Sequence, residues 1–250
     1  MKTSKLTKLL GVIALVALPW RVVQATPVGT VDIVRSGHGA NEGTYIYGGG
    51  MSGEEMYTGV YMLDKSAGTD GGTQWDNGQI AGFCIEIEEP VPTYITSYDV
   101  ISVSEAYSSV LGESVGTTKA DYLSELWGRY YDESWAGDGP FTGTENAQAA
   151  AFAAAVWEIV YEDLPLTSSG WDVGVDGTAG IPGFASLGVD SSLANSWLHS
   201  LDGSGPKATL AVFSNNGKQN YLVAVPEPTT VLLLGLGGVL SVMRRKKHGV

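Results

Sequence analysis

Between residues 26 and 225 the apolar side chains follow two rhythms. From 30 to 103 they recur in short runs rich in β-branched and aromatic types, with Gly and Pro between the runs. That pattern predicts strands over Thr30–Val34, Thr44–Gly48, Tyr57–Leu63, Gly82–Ile87 and Tyr94–Val103. Beyond residue 116 the spacing becomes helical. Thr117 or Thr118 can cap a helix running to about Tyr130, with Leu123, Leu126, Trp127 and Tyr130 on one face. Thr142-Gly143-Thr144-Glu145 has the spacing of a capping box for a second helix reaching Tyr161. Its Ala147–Ala155 stretch favours helix and permits close packing. Asp190 or Ser191 can start a third helix, with Leu193, Trp197 and Leu201 as its stripe. Ala208–Ser214 and Gln219–Val225 read as closing strands. With no internal repeat and no long low-complexity linker, residues 26–224 are expected to form one α+β domain. The expected form is β-rich, a sandwich-like sheet pair or a partly open barrel, with an inserted group of about three helices.

The two ends obey neither rhythm. Lys2, Lys5 and Lys8 precede the apolar run Leu9–Leu18, Pro19 breaks it, and Val23-Gln24-Ala25 offers small residues at a cleavage position. Residues 1–25 therefore read as a cleavable secretory signal cut between Ala25 and Thr26. The run is too short for a permanent anchor, which needs roughly 20 apolar residues. No Cys follows it, so lipid attachment there is excluded. At the other end Val225-Pro226-Glu227-Pro228 leads into Thr229–Met243, which carries no charge, and then Arg244-Arg245-Lys246-Lys247. The prolines present an extended, accessible segment. The apolar stretch is a marginal span weakened by Gly235, Gly237 and Gly238. The basic cluster is expected to stay cytoplasmic. A plain tail anchor is the competing reading.

This order of motif, span and basic end over residues 225–250 resembles the PEP-CTERM sorting tail of exported proteins from exopolysaccharide-forming Gram-negative bacteria. The resemblance implies a partner, an exosortase-type membrane peptidase, that recognises Pro226, Glu227 and Pro228. It also implies transient inner-membrane insertion followed by release towards the cell surface or matrix, with exopolysaccharide or surface proteins as further partners.

Charge narrows the function classes. The chain holds 14 Lys+Arg against 27 Asp+Glu, a formal net charge of -13, yet the basic residues crowd the two ends. Positions 26–225 keep only Arg35, Lys65, Lys119, Arg129, Lys207 and Lys218 against every acid except Glu227. So acidic a body repels anionic polymers and argues against nucleic-acid binding. A loose collection of divalent cations is conceivable, but a solvated secreted surface is the simpler reading. One Cys and three His exclude a disulfide framework and multi-cysteine zinc, and no cofactor or metal site is expected.

Phe83-Cys84-Ile85-Glu86 and the distant Ala151-Phe152-Ala153-Ala154-Ala155-Val156-Trp157-Glu158-Ile159 form a second combination. Together they resemble the Cys–Gln thioester-forming domains of bacterial surface proteins over roughly residues 57–225. The resemblance implies a strand Cys acylated by a Gln a few residues before a helix Trp, which would make a covalent adhesin. Here Ala153 stands at that Gln position. The nearest Gln is Gln148, five residues earlier and about 140° away around a helix. Strand alternation sends Phe83, Ile85 and Ile87 to one face and Cys84, Glu86 and Glu88 to the other. A half-buried structural thiol is the blander reading of Cys84. An interchain disulfide or a catalytic Cys served by His38 or His199 is less supported.

Weaker candidates complete the set. Glu86 and Glu88 could act as an acid/base pair or simply end a strand in solvent. Asp172–Gly177 and Asp70–Gly78 place oxygen ligands on Gly-rich loops but lack EF-hand spacing, so turns are expected. Trp127, Trp135, Trp157, Trp171 and Trp197 could include a sugar-stacking platform, though 127, 157 and 197 suit a core better. No nucleophile elbow, phosphate loop, zinc-protease or dinucleotide fingerprint occurs. The expected protein is an exosortase-sorted surface or exopolysaccharide-matrix component, structural or adhesive rather than catalytic. The alternatives are a covalent adhesin built on Cys84, with Gln148 as partner, and a secreted hydrolase with acidic catalytic residues.

Overall fold

The computed structural model describes residues 25–48, 50–108, 111–162, 167–175 and 183–227. Residues 1–24 of the expected signal, Pro228, the apolar span, the basic end and Asp176-Gly177 lie outside the described residues.

Two 20-residue strands, β1 (Gly29–Gly48) and β2 (Met51–Asp70), pair antiparallel along their whole length, with Gly29 opposite Asp70 and Gly48 opposite Met51. Sequence alone divides β1 in two because its middle, from Arg35 to Gly43, is polar and Gly-rich. Pairing along β2 overrides that local preference. Register shifts near Ile33, Gly37, His38 and Tyr47 let the long ribbon bend. One close approach depends on glycine: a Cβ on Gly59, at φ 151°, would lie 2.3 Å from the Ala40 carbonyl oxygen.

The first part of β1 also pairs with β4 (Thr96–Ile101). β2 pairs with β3 (Gly78–Cys84), β3 with β9 (Lys218–Ala224), β9 with β8 (Leu210–Asn215), and β8 with β4. Six antiparallel strands therefore close into a ring, so the expected sandwich or partly open barrel is a closed one. β7 (Phe184–Leu187), which no sequence pattern announced, pairs with the far end of β1, and the short β5 (Tyr107–Ser108) and β6 (Glu113–Ser114) form a separate ribbon.

The helices are inserted between β4 and β8, as expected. α1 (Gly116–Tyr130) starts without a side-chain cap, so the predicted Thr cap is not used. α2 (Gly143–Tyr161) has its full capping box: Thr142 Oγ1 accepts from the Glu145 amide, and Glu145 Oε2 accepts from the Thr142 amide. α3 (Ser191–His199) is capped by Asp190. α2 is buried almost all round from Ala149 to Tyr161, and its alanines let it lie close against the hairpin. An aromatic layer fills the space between helices and barrel. Phe83 lies 4.7 Å from Phe152 and 5.4 Å from Trp127, ring to ring. Trp135 packs edge-on to Phe152.

Candidate functional site

β3 ends at Cys84, and closure of the barrel changes what its two faces meet. Phe83 points outwards under the helices. The opposite face, where a half-buried Cys84 was expected ahead of a solvated strand end, turns into the barrel at Cys84. Cys84 is 1% exposed. That expectation fails because a closed sheet has an inside, whereas alternation can only separate two faces.

α2 holds the backbone around this cysteine. Trp157 Nε1 donates to the Cys84 carbonyl at 2.7 Å. One turn later the Tyr161 hydroxyl donates to the Ile85 carbonyl at 3.1 Å and accepts from the Ile87 amide at 3.0 Å. These bonds explain how the chain leaves its strand while Ile85 and Ile87 stay buried. Burial pushes the Cys84 thiol up to about 12, against smaller opposing effects of the Glu86 backbone N–H and the Trp157 indole. The thiol is therefore protonated at neutral pH, and among the described residues it is a free, buried cysteine.

Register identifies its neighbour. Cys84 is the direct partner of Tyr221 on β9, and the Ile85 amide continues the ladder by donating to the Asn220 carbonyl at 3.0 Å. Gln219, two residues before Tyr221, thus shares the interior face and lies diagonal to Cys84. Such neighbours are about 7–8 Å apart at Cα, within reach of a long side chain. Gln219 is 1% exposed, and its Oε1 is buried with no hydrogen-bond partner among the described residues. The Gln219 side chain also lies close enough to the Tyr61 hydroxyl to oppose, in part, the rise in its pKa that burial causes. Tyr61 and Tyr98 close the remaining interior, with ring centroids 5.7 Å and 5.9 Å from Tyr221. An unpaired buried amide carbonyl is costly. Its carbon is also what a thiol could attack: the C–N bond breaks, sulfur becomes acylated, and the thiol proton leaves with nitrogen as ammonia.

Gln148 is not brought to this place. It lies partly exposed on the first turns of α2, nine residues before Trp157, which is about 13 Å along a helix axis. Ala153 is buried one turn before Trp157 and serves close packing. Sequence reasoning missed Gln219 although it fell at the start of a predicted strand. Its polar side chain on the same face as Tyr221 was the available signal, but only the β3–β9 register gives it a partner.

The remaining candidates separate. Glu86 is 7% exposed and accepts from Asn220 Nδ2 at 2.6 Å, whereas Glu88 is exposed. Glu86 lines an acidic cleft of about 560 Å³ with Glu89, Asp99 and Glu105, and Glu88 does not. Ala25 and Pro27 border the same cleft, and the Thr26 amide donates to Glu105 Oε1 at 3.5 Å. Asp172 forms a turn, accepting from Gly174 N and Asn195 Nδ2. No group of three or more His, Cys, Asp or Glu among the described residues could hold a metal ion. All five candidate tryptophans are buried, so none offers a sugar platform. His199 Nε2 bonds the Trp171 carbonyl at 2.8 Å, and His38 bonds Arg35.

β9 ends at Ala224, and the Val225 amide makes a last bond to the Thr209 carbonyl at 2.8 Å. Pro226 and Glu227 follow at once and are exposed. No curated protein and no solved structure matches the chain. Residues 224–247 match the PEP-CTERM protein-sorting motif. The chain therefore carries a PEP-CTERM tail that begins where its last strand ends, the signal by which an exosortase recognises its substrates.

Proposed function

We propose that the protein is exported through the inner membrane of a Gram-negative bacterium, held briefly by its tail, and released to the cell surface or exopolysaccharide matrix as a covalent adhesin. Its reactive group is an acyl bond between the Cys84 sulfur and the Gln219 side chain. The observation that carries this reading is the neighbouring position of Gln219, buried with an unpartnered carbonyl oxygen, on the face of Cys84. Each molecule would react once, so the role is attachment rather than turnover. A purely structural body without the bond is the simpler alternative. The hydrolase reading gains no support: Glu86 and Glu88 do not share a cleft, and Glu158, a carboxyl with a strongly raised pKa, lies buried on α2.

Intact mass of the secreted body tests the bond. A mass lower by one ammonia, which methylamine raises by one methylamine unit as it forms the N-methylamide and releases one titratable thiol, is the expected result. The deficit should vanish in Gln219→Ala and persist in Gln148→Ala. A full mass with a titratable thiol in the native protein would exclude the bond.

A further inference from the structure

A cleft of about 410 Å³ lies on the β1–β2 hairpin, lined by Arg35, His38, Glu55, Met56, Tyr57 and Tyr61, with Gly43 at its edge. Arg35 Nη1 and His38 Nε2 are 3.0 Å apart. Since guanidinium only donates, Nε2 accepts and Nδ1 carries the imidazole hydrogen. Burial, and then the Arg35 charge, lower the His38 pKa and keep the ring neutral. The His38 ring lies 4.9 Å from Tyr57 and 5.2 Å from Tyr61. Tyr57 is 62% exposed, so its ring is open to a ligand. Tyr61 is 4% exposed and belongs both to this cleft and to the surroundings of Gln219. One phenol side chain thus stands between the cleft and the Cys84–Gln219 pair.

The cleft's chemistry selects an occupant. Arg35 and Glu55 line the cleft with opposite charges, so neither an ammonium nor a carboxylate is favoured there, and the acidic body opposes a polyanion. An open tyrosine face next to a neutral imidazole, with Arg35 and Glu55 as hydrogen-bonding groups, suits a ring that has an apolar face and an edge of hydroxyls. We propose that this cleft binds a neutral oligosaccharide and presents one of its hydroxyls to the Gln219 acyl group when Tyr61 moves aside. The proposal rests on the acyl bond described above. In the transfer, the hydroxyl oxygen attacks the Gln219 carbonyl carbon and the C–S bond breaks. The hydroxyl proton passes to the Cys84 sulfur, leaving an ester and a free thiol. The basicity of that buried thiolate, which burial raises, makes it a competent proton acceptor.

The test uses the mature full-length body with neutral hexose oligosaccharides and, in parallel, Nα-acetyl-lysine. The ammonia deficit is read first on every sample, so only protein bearing the bond is scored; its absence sinks the bond itself, not the cleft. The expected result is an oligosaccharide adduct that alkali removes, formed in preference to the lysine adduct. Tyr57→Ala should lower its rate about tenfold or more at limiting sugar, equivalent to losing one good contact, and Tyr57→Phe should restore it. Bond-bearing protein that prefers the lysine amine, that forms no sugar adduct, or that is indifferent to Tyr57→Ala would overturn the proposal.

Discussion

Glu158 carries a carboxyl at a depth where charge is unwelcome. It is 1% exposed; Oε1 accepts from the Asp172 amide at 2.7 Å, while Oε2 is buried without a hydrogen-bond partner among the described residues. Burial, and then the neighbouring Glu162 charge, push its pKa up to about 9. The folded chain keeps this proton to about pH 9, while the unfolded chain releases it near 4.5. Above the lower value the unfolded state binds fewer protons, so this group's contribution to stability falls steadily as pH rises from about 4.5 to about 9. Glu158→Gln keeps an acceptor for the Asp172 amide and has no proton to lose. It should be more stable than the parent at pH 8 by a few kcal/mol, on the order set by linkage, and about equal at pH 4.5. Urea midpoints at the two pH values check this; an unchanged difference between them would refute it. The capping box and Ala-rich stretch that marked α2 in the sequence did not mark Glu158 as buried, because only the packing of α2 against barrel and neighbours covers its whole circumference.

At the scale of elements, local chemistry and tertiary contact compete openly at Gly128 on α1. Helix propensity favours Ala over Gly by about 1 kcal/mol. A Cβ there, however, would lie 2.3 Å from the Pro206 carbonyl oxygen. The 203–208 segment cannot easily retreat: the Gly203 and Gly205 amides donate to the buried Glu125 carboxylate, and the Ala208 amide donates to the Ser124 carbonyl. Overpacking typically costs 1–3 kcal/mol, so it wins. Gly128→Ala should lower stability by about 1 kcal/mol net, read from the denaturant midpoint; a stabilised variant would mean the segment yields freely. The helices themselves were legible from sequence, since capping and the 3.6-residue stripe are local. The two-residue cap at Thr142 and Glu145 formed as its spacing predicts. β1 was not legible as one strand, because its polar middle is held only by β2. β7 escaped notice because a four-residue strand carries almost no periodic signal.

For the whole molecule, charge and chain order divide the labour. The body's six basic residues are outnumbered by its acids, while the tail carries four consecutive cationic side chains. The PEP-CTERM match starts at residue 224, and the Val225 amide makes the last ladder bond, so processing beyond it would leave the barrel intact. In cells with an active exosortase, the released protein is expected to end before Arg244. Replacing Pro226 and Glu227 by Ala should leave a full-length chain in the inner-membrane fraction. Mass spectrometry of the C-terminal peptide in medium and membrane fractions decides; a native chain found in the bilayer with all four basic residues attached would contradict sorting by cleavage.

The sorting tail was determined by the sequence itself, because such a signal is read as a linear segment: prolines, an apolar run and basic residues in order at the end. The helix positions and the approximate strands were also set locally, by caps and periodicity. Tertiary structure alone decided which residues meet. Ring closure turned a face expected to be half solvated into an interior, and the β3–β9 register, rather than spacing along α2, gave Cys84 its glutamine neighbour. Contacts between strands far apart in the chain depend on pairing geometry, and no stretch of sequence around either residue encodes that alone.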